Sequence, residues 1–136
     1  MHENKITFRT PPDNINVVHS ALESFWSEES VDDMDRMMFE TALVELVSNV
    51  IQHGTSSTTI ICALTLSSDE EILKADLEDS ASPPRIDLSA RDMPDEFAES
   101  GRGLAFIQAL VDDFDYHRVA DRNCWTIAKR RSSLNS

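Results

Sequence analysis

Phe39-Glu40-Thr41-Ala42-Leu43-Val44-Glu45-Leu46-Val47-Ser48-Asn49-Val50-Ile51-Gln52-His53-Gly54 is the stretch from which the rest of the chain can be placed. It reads as the main part of a long helix that breaks at Gly54, the residue that most readily takes a left-handed helix exit. Glu45, Asn49 and His53 recur every four residues. At about 100° per residue, each step of four drifts by only about 40°, so the three polar groups form one stripe on one face. Leu43, Val44, Leu46, Val47, Val50 and Ile51 are apolar, which predicts burial over most of the helix. A carboxylate and an amide among buried residues are costly unless something pairs with them, and this marks the stripe as a candidate site. The plainer reading is a polar stripe where the helix meets solvent.

Working back from this helix, Ser30-Val31-Asp32-Asp33 has capping-box spacing with Asp in place of Glu, and Glu28 to Asp32 is a polar linker. Ile15, Val18, Ala21, Leu22, Phe25 and Trp26 fall at helical spacing and predict a first helix, with Asp13 or Asn14 as its cap. Lys5 to Arg9 alternates and predicts a short edge strand with Ile6 and Phe8 on one face, ended by Pro11-Pro12.

Working forward, Thr55-Ser56-Ser57 is a turn. Thr58 to Ser67 predicts a strand with Ile60, Cys62, Leu64 and Leu66 facing one way. Ile72 to Asp79 predicts another, whose inward set is Leu73, Ala75, Leu77 and, in the same phase, Asp79. Residues 80–100 show no periodicity and hold Pro83, Pro84 and Pro94; a stretch of that kind is usually functional, often a lid. A helix is expected from Arg102 to Val111, led by Gly101 and Gly103. Asp115 to Val119 and Cys124 to Lys129 close the chain as two strands around the turn Asp121-Arg122-Asn123. Consecutive strand pairs with helices grouped between them indicate an α+β two-layer sandwich rather than a doubly wound parallel sheet. In the last strand, Cys124, Thr126 and Ala128 are small enough to lie under helices. Trp125 and Ile127 then point the other way; if that face is uncovered, it is apolar enough to suggest a homodimer contact.

At 136 residues the whole chain, 1–136, suits one domain. A formal charge of −13 argues against nucleic acid as a direct partner, and Lys129-Arg130-Arg131 reads as a solvated strand end. No apolar run approaches a membrane span and the N-terminus has no signal-peptide core, so no membrane association is expected. Cys62 and Cys124 fall in strands as small core residues, which favours a reducing, cytoplasmic setting.

Two further features carry chemistry. Asp79 ends a strand in the buried phase; it is either a turn-forming Asp or a fixed acceptor for an exocyclic amine. Ser100-Gly101-Arg102-Gly103-Leu104 opens a helix with two of the chain's three glycines, and such an end exposes backbone N–H groups to an anion. The dinucleotide fingerprint fails, because Phe106 stands where its third glycine belongs, and no P-loop signature occurs. For a metal, the stripe offers one usual zinc ligand, so a hard cation such as Mg²⁺ with an oxygen of Asn49 is the better match. No ordering of Ser, Cys, His and Asp suggests a nucleophilic triad, and His2, His19 and His117 read as surface residues.

Glu45-x-x-x-Asn49-x-x-x-His53-Gly54, then Asp79-Ser80-Ala81, then Gly101-Arg102-Gly103-Leu104, then Thr126-Ile127-Ala128-Lys129 form an ordered set. It resembles the Bergerat-fold (GHKL) histidine-kinase-like ATP-binding domain, in the branch of small bacterial anti-sigma factors that act as serine-protein kinases. The resemblance covers nearly the whole chain. It implies a mixed sheet with helices on one face and a lid at about 80–100 over bound ATP. It further implies that Glu45 is the general base for a serine hydroxyl and that Asn49 ligates Mg²⁺. Asp79 would accept the adenine amine with support from Thr126, and Gly101 and Gly103 would cradle phosphates. His53, Ala81, Arg102 and Leu104 complete the implied nucleotide site. Ala81 stands where the family's second motif usually has glycine, which implies a methyl beside the adenine pocket or a stiffer lid hinge. Arg85 and Arg91 are the lid's two cations.

By that resemblance the function is an ATP-dependent serine kinase that binds a sigma factor or another effector and phosphorylates a STAS-type antagonist. The alternative is a nucleotide-dependent sequestering module without useful kinase activity. A sensor histidine kinase's catalytic domain is the third reading, disfavoured by a chain that starts directly with a strand.

Overall fold

Asp32 starts the long helix. In the computed structural model, which describes residues 2–54, 59–82 and 98–132 and gives backbone alone for 53–54 and 98–103, its carboxylate accepts the Met34 and Asp35 N–H groups at 3.1 and 3.3 Å. Its carbonyl accepts the Arg36 N–H at 2.9 Å, the first bond of the helical ladder. The cap is therefore Asp32 rather than Ser30, and the second acidic residue expected at the far end of the capping box is not needed. Helix α2 then runs Asp33–Gly54, preceded by strand β1 (His2–Thr10) and helix α1 (Asn16–Ser27). Neither Asp13 nor Asn14 caps α1: the cap position is Ile15, with no side-chain cap bond, while Asn14 accepts the Asn16 N–H at 2.9 Å in the turn before the helix.

After α2 come β2 (Ile60–Ser68), β3 (Ile72–Asp79), α3 (Ala98–Leu110), β4 (Asp113–Val119) and β5 (Arg122–Arg130). The described strands form one sheet in the order β1-β2-β3-β5-β4. The α+β two-layer architecture is as expected. Strand direction is not: all four pairings are antiparallel, where a mixed sheet was anticipated. The β2–β3 and β4–β5 pairs are hairpins, and β5 returns beside β3, so direction alternates across the whole sheet.

Burial alternates along β2, with Ile60, Cys62, Leu64 and Leu66 inside, and along β3, with Leu73, Ala75, Leu77 and Asp79 inside. These side chains join Val18, Leu22, Phe25, Phe39, Leu43, Leu46 and Val47 of the helices in a single core. β5 reverses the expected phase. Trp125 and Ile127 are 7% and 0% exposed, while Cys124, Thr126 and Ala128 lie on the other side. Burying an indole and a branched aliphatic chain removes far more apolar area from water than burying Cys, Thr and Ala, and this decides the phase. The apolar outer face on which a homodimer contact was inferred is therefore not there.

The basic tail is also less solvated than expected. Arg131 contacts Glu29 at 3.1 Å and donates to the Ser30 carbonyl, and Lys129 lies 3.9 Å from the buried Asp35. These contacts tie the end of β5 to the loop between α1 and α2 and to the first turn of α2; Arg130, its side chain 80% exposed, lies 3.8 Å from Asp112. No helix among the described residues is long and apolar enough to cross a membrane.

Because Asp32 alone caps α2, Asp32→Ala should lower the unfolding free energy by about 1 kcal/mol in urea denaturation. Ser30→Ala should change it by less than about 0.5 kcal/mol; equal losses would return the cap to Ser30.

Candidate functional site

The stripe on α2 survives folding as a distinct surface. Leu43, Leu46, Val47 and Val50 are buried around it, while Glu45 and Asn49 are half-buried, with Asn49 Nδ2 3.5 Å from Glu45 Oε1. Helix α2 packs against β3, β5 and α3, so its apolar sides are fixed and these two polar side chains stay accessible. His53 lies one turn further along the same helix, and its side chain falls outside the described residues. Among the described residues no three His, Cys, Asp or Glu side chains gather as a metal site.

Asp79 sits at the end of β3 and is 1% exposed. A carboxylate so deep must be met by donors. Oδ1 accepts the Ala81 N–H at 2.9 Å and Asn123 Nδ2 at 2.8 Å; Oδ2 accepts Trp125 Nε1 at 2.8 Å. The register explains the meeting, since Asp79 pairs with Asn123 and Leu77 with Trp125, all on the inner face. Thr126, expected to support the contact at Asp79, is on the outer face and donates to Asp76 at 2.8 Å instead. Both partners lie outside the expected pattern for different reasons: Trp125 faces inward against the expected phase, and Asn123 belongs to β5, which begins at Arg122, rather than to the turn before it. A signal was available: a strand tryptophan that is buried needs an acceptor for its N–H.

Around this carboxylate a second layer of bonds holds the chain just after β3. Asn123 Nδ2 also reaches the Ala81 and Ser82 carbonyls at 3.1 and 3.2 Å, and Arg118 Nη1 donates to the Ala81 carbonyl at 3.0 Å. Asn123 Oδ1 accepts from Tyr116 Oη at 2.6 Å and from Arg118 Nη1 at 2.9 Å. Burial pushes the Tyr116 phenol above its ordinary range, with Arg118 opposing, so it remains a protonated donor at neutral pH. Tyr116 and Phe114 pack on the Trp125 indole, with ring centroids 4.5 and 6.2 Å away.

Helix α3 begins at Ala98, so Gly101 and Gly103 lie inside it rather than ahead of it. The helix N-terminus is thus several residues earlier than expected. Leu104 is 6% exposed and belongs to the core. The side chain of Arg102 and most of the expected lid, residues 83–97 with Arg85 and Arg91, lie outside the described residues.

The sequence profile of the histidine kinase-like ATPase domain matches residues 8–129, most of the chain. The chain belongs to that family. Solved structures agree at the level of fold. The RsbU and RsbW domains of Rv1364c from Mycobacterium tuberculosis superpose with a TM-score of 0.66 at 22% identity, over 98% of this chain and 33% of that one. The histidine kinase domain of a blue-light-activated kinase from Erythrobacter litoralis gives 0.52 at 16% identity, over 85% and 58%. The histidine kinase AdeS of Acinetobacter baumannii gives 0.51 at 16% identity, over 98% and 70%. This chain thus spans about a third of the first of these chains. No curated protein matches the sequence.

Two consequences can be measured. Asp79→Asn keeps the shape but turns an amide NH₂ toward at least one of three donors, whichever way it is seated. It should cost about 1–3 kcal/mol in denaturant unfolding, and a neutral result would deny the network its role. Cys62 lies opposite Asp79 in the β2–β3 register, and burial first, then the Asp79 charge, pushes its thiol from 9.0 up to about 12. The unfolded thiol ionises first, so this contribution to stability is whole below pH 9 and is lost as the pH rises from about 9 to about 12. Cys62→Ala should flatten the alkaline fall in stability over that window.

Proposed function

We propose that this histidine kinase-like ATPase domain is an ATP-dependent serine protein kinase and anti-sigma-type regulator. In this reading it binds an effector, a sigma factor or another protein, and phosphorylates a STAS-type antagonist in a partner-switching pathway. The observation that carries the reading is the pair Glu45 and Asn49, side by side and half-buried next to the buried Leu46, Val47 and Val50. The family match supports nucleotide chemistry. The likeness in fold to a chain with an RsbW domain is consistent with the serine-kinase branch. Free Cys62 and Cys124 suit the cytoplasmic setting that the proposal includes.

Within the proposal, Asn49 offers an oxygen to Mg²⁺, Asp79 is the acceptor for a base amine, and Gly101, Gly103, His53 and Arg102 border the phosphates. Bound Mg-ATP would supply the transferable phosphoryl group and the metal charge that neutralises it. Glu45 takes the proton from the incoming serine hydroxyl. Its half-exposed position lets a second protein's side chain reach it, and the Asn49 amide keeps Oε1 turned along the stripe. Catalysis then rests mostly on position, with the base adding a factor of about 10²–10⁴.

Incubated with Mg-ATP and a STAS-type antagonist, the wild-type chain should yield phosphoserine. Glu45→Ala should slow that transfer by about 10²–10⁴ while still capturing partners. The second reading, a nucleotide-dependent sequestering module, is favoured by one observation: Asp79 already has three protein donors. It predicts partner capture with no phosphoserine from wild type or variant alike.

A further inference from the structure

A carboxylate has about four lone-pair directions, and three of those on Asp79 are taken. The fourth, on Oδ2, belongs to a side chain that is 1% exposed. An exocyclic amine can reach it only if one of the present neighbours leaves. The three donors are not equally free to do so. The Ala81 N–H is main chain, two residues along. Asn123 is tied through both ends of its amide, to the Ala81 and Ser82 carbonyls on one side and to Tyr116 and Arg118 on the other. Trp125 Nε1 makes one hydrogen bond, to Oδ2. Its ring packs on Tyr116 and Phe114, half-buried side chains of the edge strand β4, so that side of the indole is closed by partly exposed residues rather than by fully buried ones.

The chemistry of the indole is the telling point. It is a flat aromatic heterocycle that donates an N–H to a buried carboxylate, the features a purine presents through its exocyclic amine. We propose that Trp125 is the resident occupant of the base subsite, so that an adenine nucleotide enters only as the indole N–H leaves Asp79. This rests on the reading of Asp79 as the base acceptor. The rival role for Trp125 is a fixed support that orients the carboxylate and stays bound to it when nucleotide arrives. The two roles give opposite signs for the same substitution.

The test uses the full chain with Mg-ATP and Mg-GTP. Trp125→Phe keeps an aromatic ring and removes the N–H. Calorimetry should show it binding ATP at least tenfold more tightly than wild type, about 1.4 kcal/mol, with no such gain for GTP, whose base carries an oxo group in place of the amine. In the wild-type chain, saturating Mg-ATP should shift the Trp125 indole N–H resonance and expose it to solvent exchange. Trp26, whose Nε1 is held by Glu40 at 2.9 Å, is the internal control. Unchanged or weaker ATP binding by Trp125→Phe, or an indole N–H that stays protected in the ATP complex, overturns the proposal and leaves the nucleotide reading standing. ATP binding by neither protein overturns both. If the variant does not fold, the wild-type resonance decides alone.

Discussion

A buried carboxylate has to be answered by donors, and Asp79 is answered from two places far apart in the chain. The turn after β3 supplies the Ala81 N–H, and β5 supplies Asn123 and Trp125. Much follows from that one requirement. Once Asn123 and Trp125 must face inward, the period of two places Ile127 with them in the core and sends Cys124, Thr126 and Ala128 to the outer face. A slip of one residue in β5 would turn both donors away from the carboxylate and carry Ile127 out of the core. The polar network and the apolar core therefore select the same register, which is the agreement between levels expected of a well-specified fold.

The two ends of the candidate site differ in kind. On α2 the apolar sides are fixed against the sheet and α3, and Glu45 and Asn49 stay half-exposed with only a long contact between them. Such groups can exchange partners at little cost. Around Asp79 every named donor is already engaged and water is excluded, so any exchange must break a charge-assisted bond before making another. The stripe leaves its polar groups open to new partners, whereas the strand end holds its carboxylate fully engaged.

The sequence was legible where periodicity and chemistry point the same way. Glu45 and Asn49 could be placed on one face because apolar neighbours fixed the helical phase, and Asp79 because Leu73, Ala75 and Leu77 fixed the strand phase. β5 resists reading because its two faces carry Cys, Thr and Ala against Trp and Ile, and the smaller set looks the easier to fit under the helices. Area removed from water, not ease of fit, set the outcome. Glycines often punctuate a helix start, but Gly101 and Gly103 are carried inside α3, so spacing alone puts that start too late. Ser30 was read as a cap from spacing, but the first carbonyl of the ladder belongs to Asp32.

Ala81 shows how a departure from a family pattern can be weighed by geometry. A glycine would be required there if the backbone turned through positive φ. Among the described residues the non-glycine residue that does so is Ala120, at φ 54°, in the turn between β4 and β5. Ala81 is not forced into that region, so its methyl group carries no conformational penalty of that kind. What the residue does instead is anchor. Its N–H is spent on Asp79, its carbonyl on Arg118 and Asn123, and its side chain packs against the core. Alanine also has fewer backbone conformations to lose than glycine, which favours a fixed turn over a loose one. The methyl group and the indole therefore act in one direction: both help to hold the chain around the Asp79 carboxylate in one arrangement.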